Sequence, residues 1–377
     1  MDIFLVGGVV RDMLLGRPAR QRDFVYFGTE RDFERLHPGA KRVGAAFPIF
    51  LWRGAEYAPA RAGDIHADLL ERDLTINAVA LSCAPEDGTP SLCLAHPSAL
   101  GDFRDKLLRP ASDTAMDIDP CRVFRAGRFA AELPDFTAHP SLVQAMRATG
   151  ASGALNTLAA ERVAAEMQKA LAAPAPSRFF TLLDQAGCLA PWFAELAPLS
   201  AIPAGPPQYH DGSVLKHILE MVDRLAGDPL HAWMGLCHDL GKGATDPGKW
   251  PHHYGHESLG EALAASLGQR LRLPTRYIDA GRLAAGLHMK TAVYGTLRPG
   301  TRVDLLMRLH TARLFEAMFA VARADKAERQ GPDWLDAARD DLARMLAVSL
   351  PPAERDQGEA SGERLRALRC LALANNR

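Results

Sequence analysis

The sequence predicts an α+β chain, with a mixed strand-and-helix part at the N-terminus followed by wholly helical parts. Two observations predict it, and a third marks where function is to be sought. Short runs rich in β-branched or aromatic residues, bounded by Gly, Pro or Asp, crowd the first 110 or so residues. Ala-rich stretches carrying Leu, Glu and Arg take over from about residue 119. Nine of the 13 histidines fall between His210 and His310, which marks that span as a candidate metal-ligating region.

Taken in order, Ile3 to Val6 is a strand candidate, followed by Gly7-Gly8 and a helical stretch over Val10 to Leu15. Phe24 to Phe27 and Phe47 to Trp52 are further strands, and Leu74 to Leu81 is another apolar run. Arg122, Arg125 and Arg128 recur at a spacing of three, near one helix face. Ile202 to Pro207 is a Pro/Gly cluster that reads as a linker, and helical patterns resume at Val214 and run to about residue 345. Residues 353–377 read as one peripheral helix.

Composition excludes several classes. At 377 residues, two or three domains are expected. The net charge of −1 excludes a uniformly basic nucleic-acid-coating protein, though not a local basic groove. An apolar fraction of 47% with 24% charged residues is that of a globular chain. No run approaches the roughly 20 apolar residues of a membrane helix, and no positive region precedes the first apolar run, which argues against a signal peptide. The six cysteines form no C-x-x-C pair, so a reduced, cytoplasmic protein without a zinc-thiolate site is expected.

Three N-terminal pieces carry candidate chemistry. Gly7-Gly8-Val9-Val10-Arg11-Asp12 follows a strand, where glycines let the backbone approach a phosphate and Arg11 can pair with it. Alone, it is equally a tight strand-to-helix turn. Arg72-Asp73-Leu74-Thr75-Ile76-Asn77-Ala78 sets polar groups around an apolar run, and alone reads as a surface salt bridge. Asp119 and Arg122 at a helix start can offer acceptor and donors to a base edge. Asp119 can equally cap the helix, with Pro120 at its first position.

Together these pieces resemble the bacterial class II tRNA nucleotidyltransferases, the CCA-adding enzymes, over residues 1 to at least 330. Gly7-Gly8 with Arg11-Asp12, the Arg72–Ala78 motif, Asp119 with Arg122, Arg125, Arg128 and Phe129, Glu161-Arg162, and the strand Phe47 to Leu51 carry the resemblance. It implies that Gly8, Arg11 and Arg72 contact nucleotide phosphates, and that Asp119, Arg122 and Arg125 select C and then A. It implies transfer of the α-phosphate of CTP or ATP to the tRNA 3′ end, with pyrophosphate leaving and Mg²⁺ held by paired carboxylates.

The chain departs from that family at five places. Gln21 stands where the first carboxylate of Asp-x-Asp is expected, and only Asp23 is kept. The flexible loop between Arg61 and Glu71 is shortened to residues 62–70. Glu71 replaces Arg, Ile118 replaces the Glu before Asp119, and His96-Pro97 replaces Asp-Pro.

The second half holds His217, then His238-Asp239-Leu240-Gly241-Lys242, then His256, His288 and Asp325. This order resembles the HD phosphohydrolases. The resemblance implies a primary metal site of His217, His238, Asp239 and Asp325. His256 and His288 would complete a second position, and Lys242 would neutralise a phosphate. Mixed N/O donors suit Ni²⁺ or Mn²⁺. His252 and His253 are expected at the surface.

The expected domains are a nucleotidyltransferase head over 1–130, a helical tRNA-binding neck and body over 131–200, an HD domain over 201–345 and a helical tail over 346–377. The expected function is CCA addition with phosphatase and 2′,3′-cyclic phosphodiesterase activity. Expected partners are the tRNA 3′ end, CTP, ATP and a second copy in a homodimer, and no membrane. The alternative is a tRNA-binding paralogue with an inactive polymerase and an active hydrolase.

Overall fold

The computed structural model describes residues 1–18, 22–44, 48–60, 62–84, 89–208, 212–326 and 332–374. Gln21, Phe47 and Arg61 lie outside the described residues. The chain divides into two units. Unit 1 is Met1–Leu158 with Gln185–Cys188, and unit 2 is Ala159–Asp184 with Leu189–Arg377.

Unit 1 is built on a seven-stranded mixed sheet. Its strands are β1 (Asp2–Val6), β2 (Asp23–Phe27), β3 (Lys41–Val43), β4 (Ile49–Trp52), β5 (Ala55–Pro59), β6 (Val79–Cys83) and β7 (Pro90–Ala95). They lie in the order β3-β4-β5-β2-β1-β6-β7, and β2 and β5 run parallel. One face buries Ile3, Leu5, Phe24, Tyr26, Phe33, Phe50 and Tyr57; the other buries Phe4, Val6, Val25, Ile65 and Leu69. This alternation is the period of two that puts successive side chains on opposite faces. The helix Gly8–Leu14 leaves β1 directly, and the helix Arg122–Glu132 buries Val123, Phe124, Ala126 and Phe129.

The sequence expectations hold for β1, β2 and the described part of β4, whereas β3, β5 and β7 were not expected, and two further differences appear. The apolar run from Leu74 opens as a 3-10 turn over Thr75–Asn77 and becomes strand only at Val79. The shortened 62–70 segment contains a helix, Ile65–Leu70, started by Asp64, whose side chain accepts the Ala67 amide.

Unit 2 is helical. The helix Val214–Arg224 buries His217, and the helix Pro229–Cys237 is buried on nearly all sides. His256–Arg270 packs on Thr275–Ala292, with Phe315–Asp325 beside the latter. The expected tail helix is Glu359–Ala374. The segment read as a linker is not one. Ile202 and Ala204 are buried, Pro203 bridges to Ser213, and the whole segment lies inside unit 2. The carbonyls of Ile202, Pro203 and Ala204 and the Ala204 amide are all paired there, so this proline-rich stretch is a packed turn within unit 2. No described helix is long and apolar enough to cross a membrane, and no disulfide forms among the described residues.

Candidate functional sites

In unit 1 the glycine turn, two arginines and the 71–77 motif converge. Gly7 has φ +74 and ψ −138, a conformation that suits glycine. Arg72 Nη1 lies 3.9 Å from where a Cβ on Gly7 would stand, and Arg11 Nη2 lies 3.6 Å from the same position on Gly8. The two guanidiniums thus flank the Gly7-Gly8 backbone, with room that any side chain there would fill.

A continuous chain of hydrogen bonds positions them. Arg11 Nη1 donates to Asn77 Oδ1 at 3.0 Å, and Asn77 Nδ2 donates to Asp73 Oδ1 at 2.9 Å. Arg125 Nε and Nη2 donate to Asp73 Oδ2 at 2.8 and 2.6 Å. Burial of Asp73 works to raise its pKa, but the Arg125 charge and the hydrogen bonds from Asn77, Arg125 and the Leu74 amide outweigh it. The carboxyl is held below the usual range. Arg72 is in turn held by Asp68 Oδ2 through Nε at 3.0 Å.

Arg122 is buried, and its guanidinium donates to the carbonyls of Ala115 at 2.8 Å, Glu71 at 2.7 Å and Arg72 at 3.3 Å. These contacts fasten the 71–72 segment to its helix. Asp119 does not cap that helix as expected. Its Oδ1 accepts the Cys121 amide at 3.1 Å, and the helix starts only at Arg122. Pro120 therefore lies in the preceding turn.

Asp23 opens β2. Its Oδ1 is buried with no hydrogen-bond partner among the described residues. Glu56 is its register partner on the parallel strand β5, so both side chains leave the sheet on one face. The next pair along, Phe24 and Tyr57, stacks at 4.5 Å on the opposite face. Burial first, then the Glu56 charge, raises the Asp23 pKa, against the opposing charge of Arg72. Two crowded carboxylates with an orphaned oxygen suit a hard divalent cation such as Mg²⁺. Sequence reasoning missed Glu56, because no local signal marks a residue 33 positions away as a strand neighbour.

In unit 2 the expected histidines and aspartates do come together, from four helices and one turn. His217, His238 and Asp325 form one group, and Asp239, His256 and His288 another, each with donor atoms within 4.8 Å of one another. Asp239 joins the two. Its Oδ2 is 3.2 Å from His238 Nε2 and 3.4 Å from His217 Nε2, and its Oδ1 is 3.5 Å from both His256 Nε2 and His288 Nε2. Asp325 Oδ1 is 3.2 Å from His217 Nε2.

Ring orientation is set behind the cluster. His238 Nδ1 donates to the Gly235 carbonyl at 2.7 Å, His256 Nδ1 to His253 at 2.8 Å, and His288 Nδ1 to Ala285 at 3.0 Å. A carbonyl can only accept, so each Nδ1 carries a proton and each Nε2 faces inward. His217 and His238 then bring Nε2 atoms to 3.2 Å, and His256 and His288 to 3.4 Å. Such approaches between ring nitrogens are bridged by a shared proton or by a cation held between them. The buried Asp239 Oδ1 also has no hydrogen-bond partner among the described residues. The donor set therefore fits a transition-metal ion.

Charge is arranged to suit. Burial would raise the Asp239 pKa, but the Lys242 and His238 charges hold it well below the usual range. Burial, above all, pushes His288 down to about 4, so it is a neutral imidazole at pH 7. His238 is raised, because the Asp239 charge and hydrogen bond outweigh its burial, so a cation at its Nε2 would displace a proton there.

Two expectations change here. Lys242 is buried, with Nζ 2.8 Å from Asp239 Oδ2 and 2.7 Å from the Ala204 carbonyl. As placed it positions Asp239 and does not offer its ammonium to a phosphate. His253 is buried rather than at the surface, with Nε2 donating to the Pro203 carbonyl at 2.7 Å. His252 is exposed.

The similarity to known proteins runs through both units. Residues 135–199 match a family described as the probable RNA and SrmB-binding site of polymerase A. The multifunctional CCA protein of Nitrosococcus oceani is 35% identical over an alignment of 408 residues, covering 99% of this chain and 98% of the relative. That of Methylococcus capsulatus is 37% identical, covering 99% and 94%. Among solved structures, the Thermotoga maritima CCA-adding enzyme complexed with tRNA is 17% identical, with a TM-score of 0.66 over 100% of this chain and 88% of that one. The Bacillus stearothermophilus CCA-adding enzyme in complex with CTP is 22% identical, with a TM-score of 0.65 over 99% and 88%. These two share the fold. With more than a third of its residues identical to relatives matched along nearly their whole length, this chain belongs to the family of the multifunctional CCA proteins.

Proposed function

We propose that the protein adds C, C and A to tRNA 3′ ends from CTP and ATP through unit 1, and hydrolyses phosphate esters through the cluster in unit 2. The observation that carries the first part is the cradle formed by Gly7-Gly8 between Arg11 and Arg72, fixed by the Arg11–Asn77–Asp73–Arg125 chain. The names of the full-length relatives point the same way.

In this reading Gly8, Arg11 and Arg72 bind the nucleotide phosphates, the backbone at Gly8 leaving space and the two guanidiniums supplying charge. Asp119 and Arg125 meet the base edge, and Arg122 holds the helix Arg122–Glu132 against the 71–72 segment. Asp23 would hold Mg²⁺ together with Glu56, which would take the part of the carboxylate missing at Gln21. The 3′ hydroxyl attacks the α-phosphate and pyrophosphate leaves.

In unit 2, His217, His238 and Asp325 would hold one cation, His256 and His288 a second, and Asp239 would face both. When bound, a divalent cation of the Ni²⁺ or Mn²⁺ type activates a nucleophile near neutral pH and draws charge from a phosphate. Lys242 keeps Asp239 ionised and aimed. The backbone carbonyls behind His238, His256 and His288 fix the tautomers that make Nε2 the ligand atom.

The test uses the full chain with tRNA lacking CCA, plus CTP, ATP and Mg²⁺, resolved at single-nucleotide length, and a parallel cyclic-phosphodiesterase assay with Ni²⁺. Wild type is expected to show both activities. His238→Ala is expected to lose the hydrolysis, with its bound Ni²⁺, and to keep nucleotide addition. Hydrolysis retained in His238→Ala removes the cluster from the mechanism. No addition by wild type supports the alternative of an inactive polymerase.

A further inference from the structure

We infer that the exposed ring pair His252–Tyr254 is a stacking platform for the base of a nucleoside phosphate ester entering the histidine cluster, so that this site selects nucleosidic esters over other phosphate esters. The inference rests on the phosphohydrolase reading of unit 2.

Tyr254 is 72% exposed, more than any other large apolar side chain among the described residues. An aromatic ring in that position gives up its burial energy without return from the fold. It is nonetheless ordered against a neighbour. The His252 and Tyr254 rings stack with centroids 5.8 Å apart and planes 20° from parallel, and His252 is also exposed.

The backbone beneath them is pinned. His253, between the two rings, points inward and is held through Nε2 by the Pro203 carbonyl and through Nδ1 by Thr245 Oγ1 at 2.8 Å. Trp250 Nε1 donates to the same Thr245 Oγ1 at 3.1 Å. On the other side, Gly255 takes φ +74, and His256 turns in to donate from Nδ1 to the His253 carbonyl. The order is therefore ring out, ring in, ring out, turn, ligand in. Tyr254 stands two residues from His256, so their Cα atoms are within about 7 Å. A phosphate at the cluster places the base of its own nucleoside at a reach of that order, and each base offers an apolar π face to an aromatic ring.

Three cyclic esters test this with added Ni²⁺: 2′,3′-cyclic CMP, a short RNA ending in a 2′,3′-cyclic phosphate, and glycerol 1,2-cyclic phosphate, which keeps the ring and lacks the base. In Tyr254→Ala the selectivity for 2′,3′-cyclic CMP over the glycerol ester, as a ratio of kcat/KM values, is expected to fall about ten-fold, through KM. Tyr254→Phe is expected to keep it. A loss confined to the oligonucleotide assigns the platform to RNA ends, and a loss on both assigns it to the nucleoside unit itself. If wild type hydrolyses all three esters and Tyr254→Ala leaves the ratios unchanged, the platform is refuted and the phosphohydrolase reading stands. If wild type hydrolyses none, the phosphohydrolase reading falls and the platform with it.

Discussion

The carboxylate of Asp73 takes two hydrogen bonds from Arg125, a residue 52 positions away, at 2.8 and 2.6 Å. Asp73 is almost wholly buried, and the Arg125 side chain is 40% exposed. The pair ties the 71–77 motif to the helix Arg122–Glu132. Removing the carboxylate takes one shared partner from Arg125, the Asn77 amide and the Leu74 N–H together. Asp73→Ala is expected to destabilise unit 1 by about 2–4 kcal/mol, read as a lower denaturation midpoint. Asp73→Asn keeps the shape and should cost less. An unchanged midpoint in the alanine variant would show that the chain of bonds is ornamental.

Gly241 is where the turn after Asp239 meets the start of the next helix. A Cβ there would collide with the His256 carbonyl oxygen and with the Gly260 backbone. Both obstacles are main chain, so no side chain can swing aside. Gly241→Ala must push the Asp239 turn away from His256, at a cost of about 3 kcal/mol or more. Metal analysis of the dialysed variant is expected to show loss of bound Ni²⁺ or Mn²⁺. Wild-type metal content would mean that the two segments can part without disturbing the cluster.

Glu56 and Asp23 give a test of the unit 1 cation. Glu56→Gln keeps the strand pairing and removes one anionic oxygen. It is expected to lower CCA addition by about 100-fold or more, and to weaken Mn²⁺ binding measured by electron paramagnetic resonance. Gln21→Asp is expected to raise addition above wild type. Full activity and full Mn²⁺ binding in Glu56→Gln would strip Glu56 of any ligand role.

His37 gives a pH dependence. It is 1% exposed, ringed by Phe33 at 4.4 Å and Trp52 at 4.2 Å, and neither nitrogen has a hydrogen-bond partner among the described residues. Burial, then the nearby Arg53 charge, lowers its pKa from 6.5. The unfolded chain therefore binds the proton more readily than the folded one. The His37 contribution is fully present above about pH 6.5 and is lost as the pH falls below it. Wild type should lose thermal stability between pH 7.5 and 5.5 more steeply than His37→Phe does. Parallel slopes for the two would count against a neutral buried imidazole.

Much of this was legible before any fold was known. The strand starts at β1 and β2, the helix at Arg122, the helix at Val214 and the order of the histidines are local patterns of apolar spacing, glycine and charge. What was missed was non-local. Glu56 gained its place only when β5 paired with β2. His253 looked like one surface histidine among several until the Pro203 carbonyl and Thr245 closed over it. The same packing turned the Pro/Gly linker into part of unit 2.

The sequence by itself determined which ligand atoms, arginines and glycines exist and in what order, because chemistry resides in residue types and short spacings. Only the tertiary structure decided that one carboxylate, Asp239, lies between two groups of histidines, that Lys242 is spent on it, and that Arg122 holds backbone. Those outcomes depend on helices and strands far apart in the chain meeting at particular angles. Burial and pairing, which set each side chain's partner, arise only from that meeting.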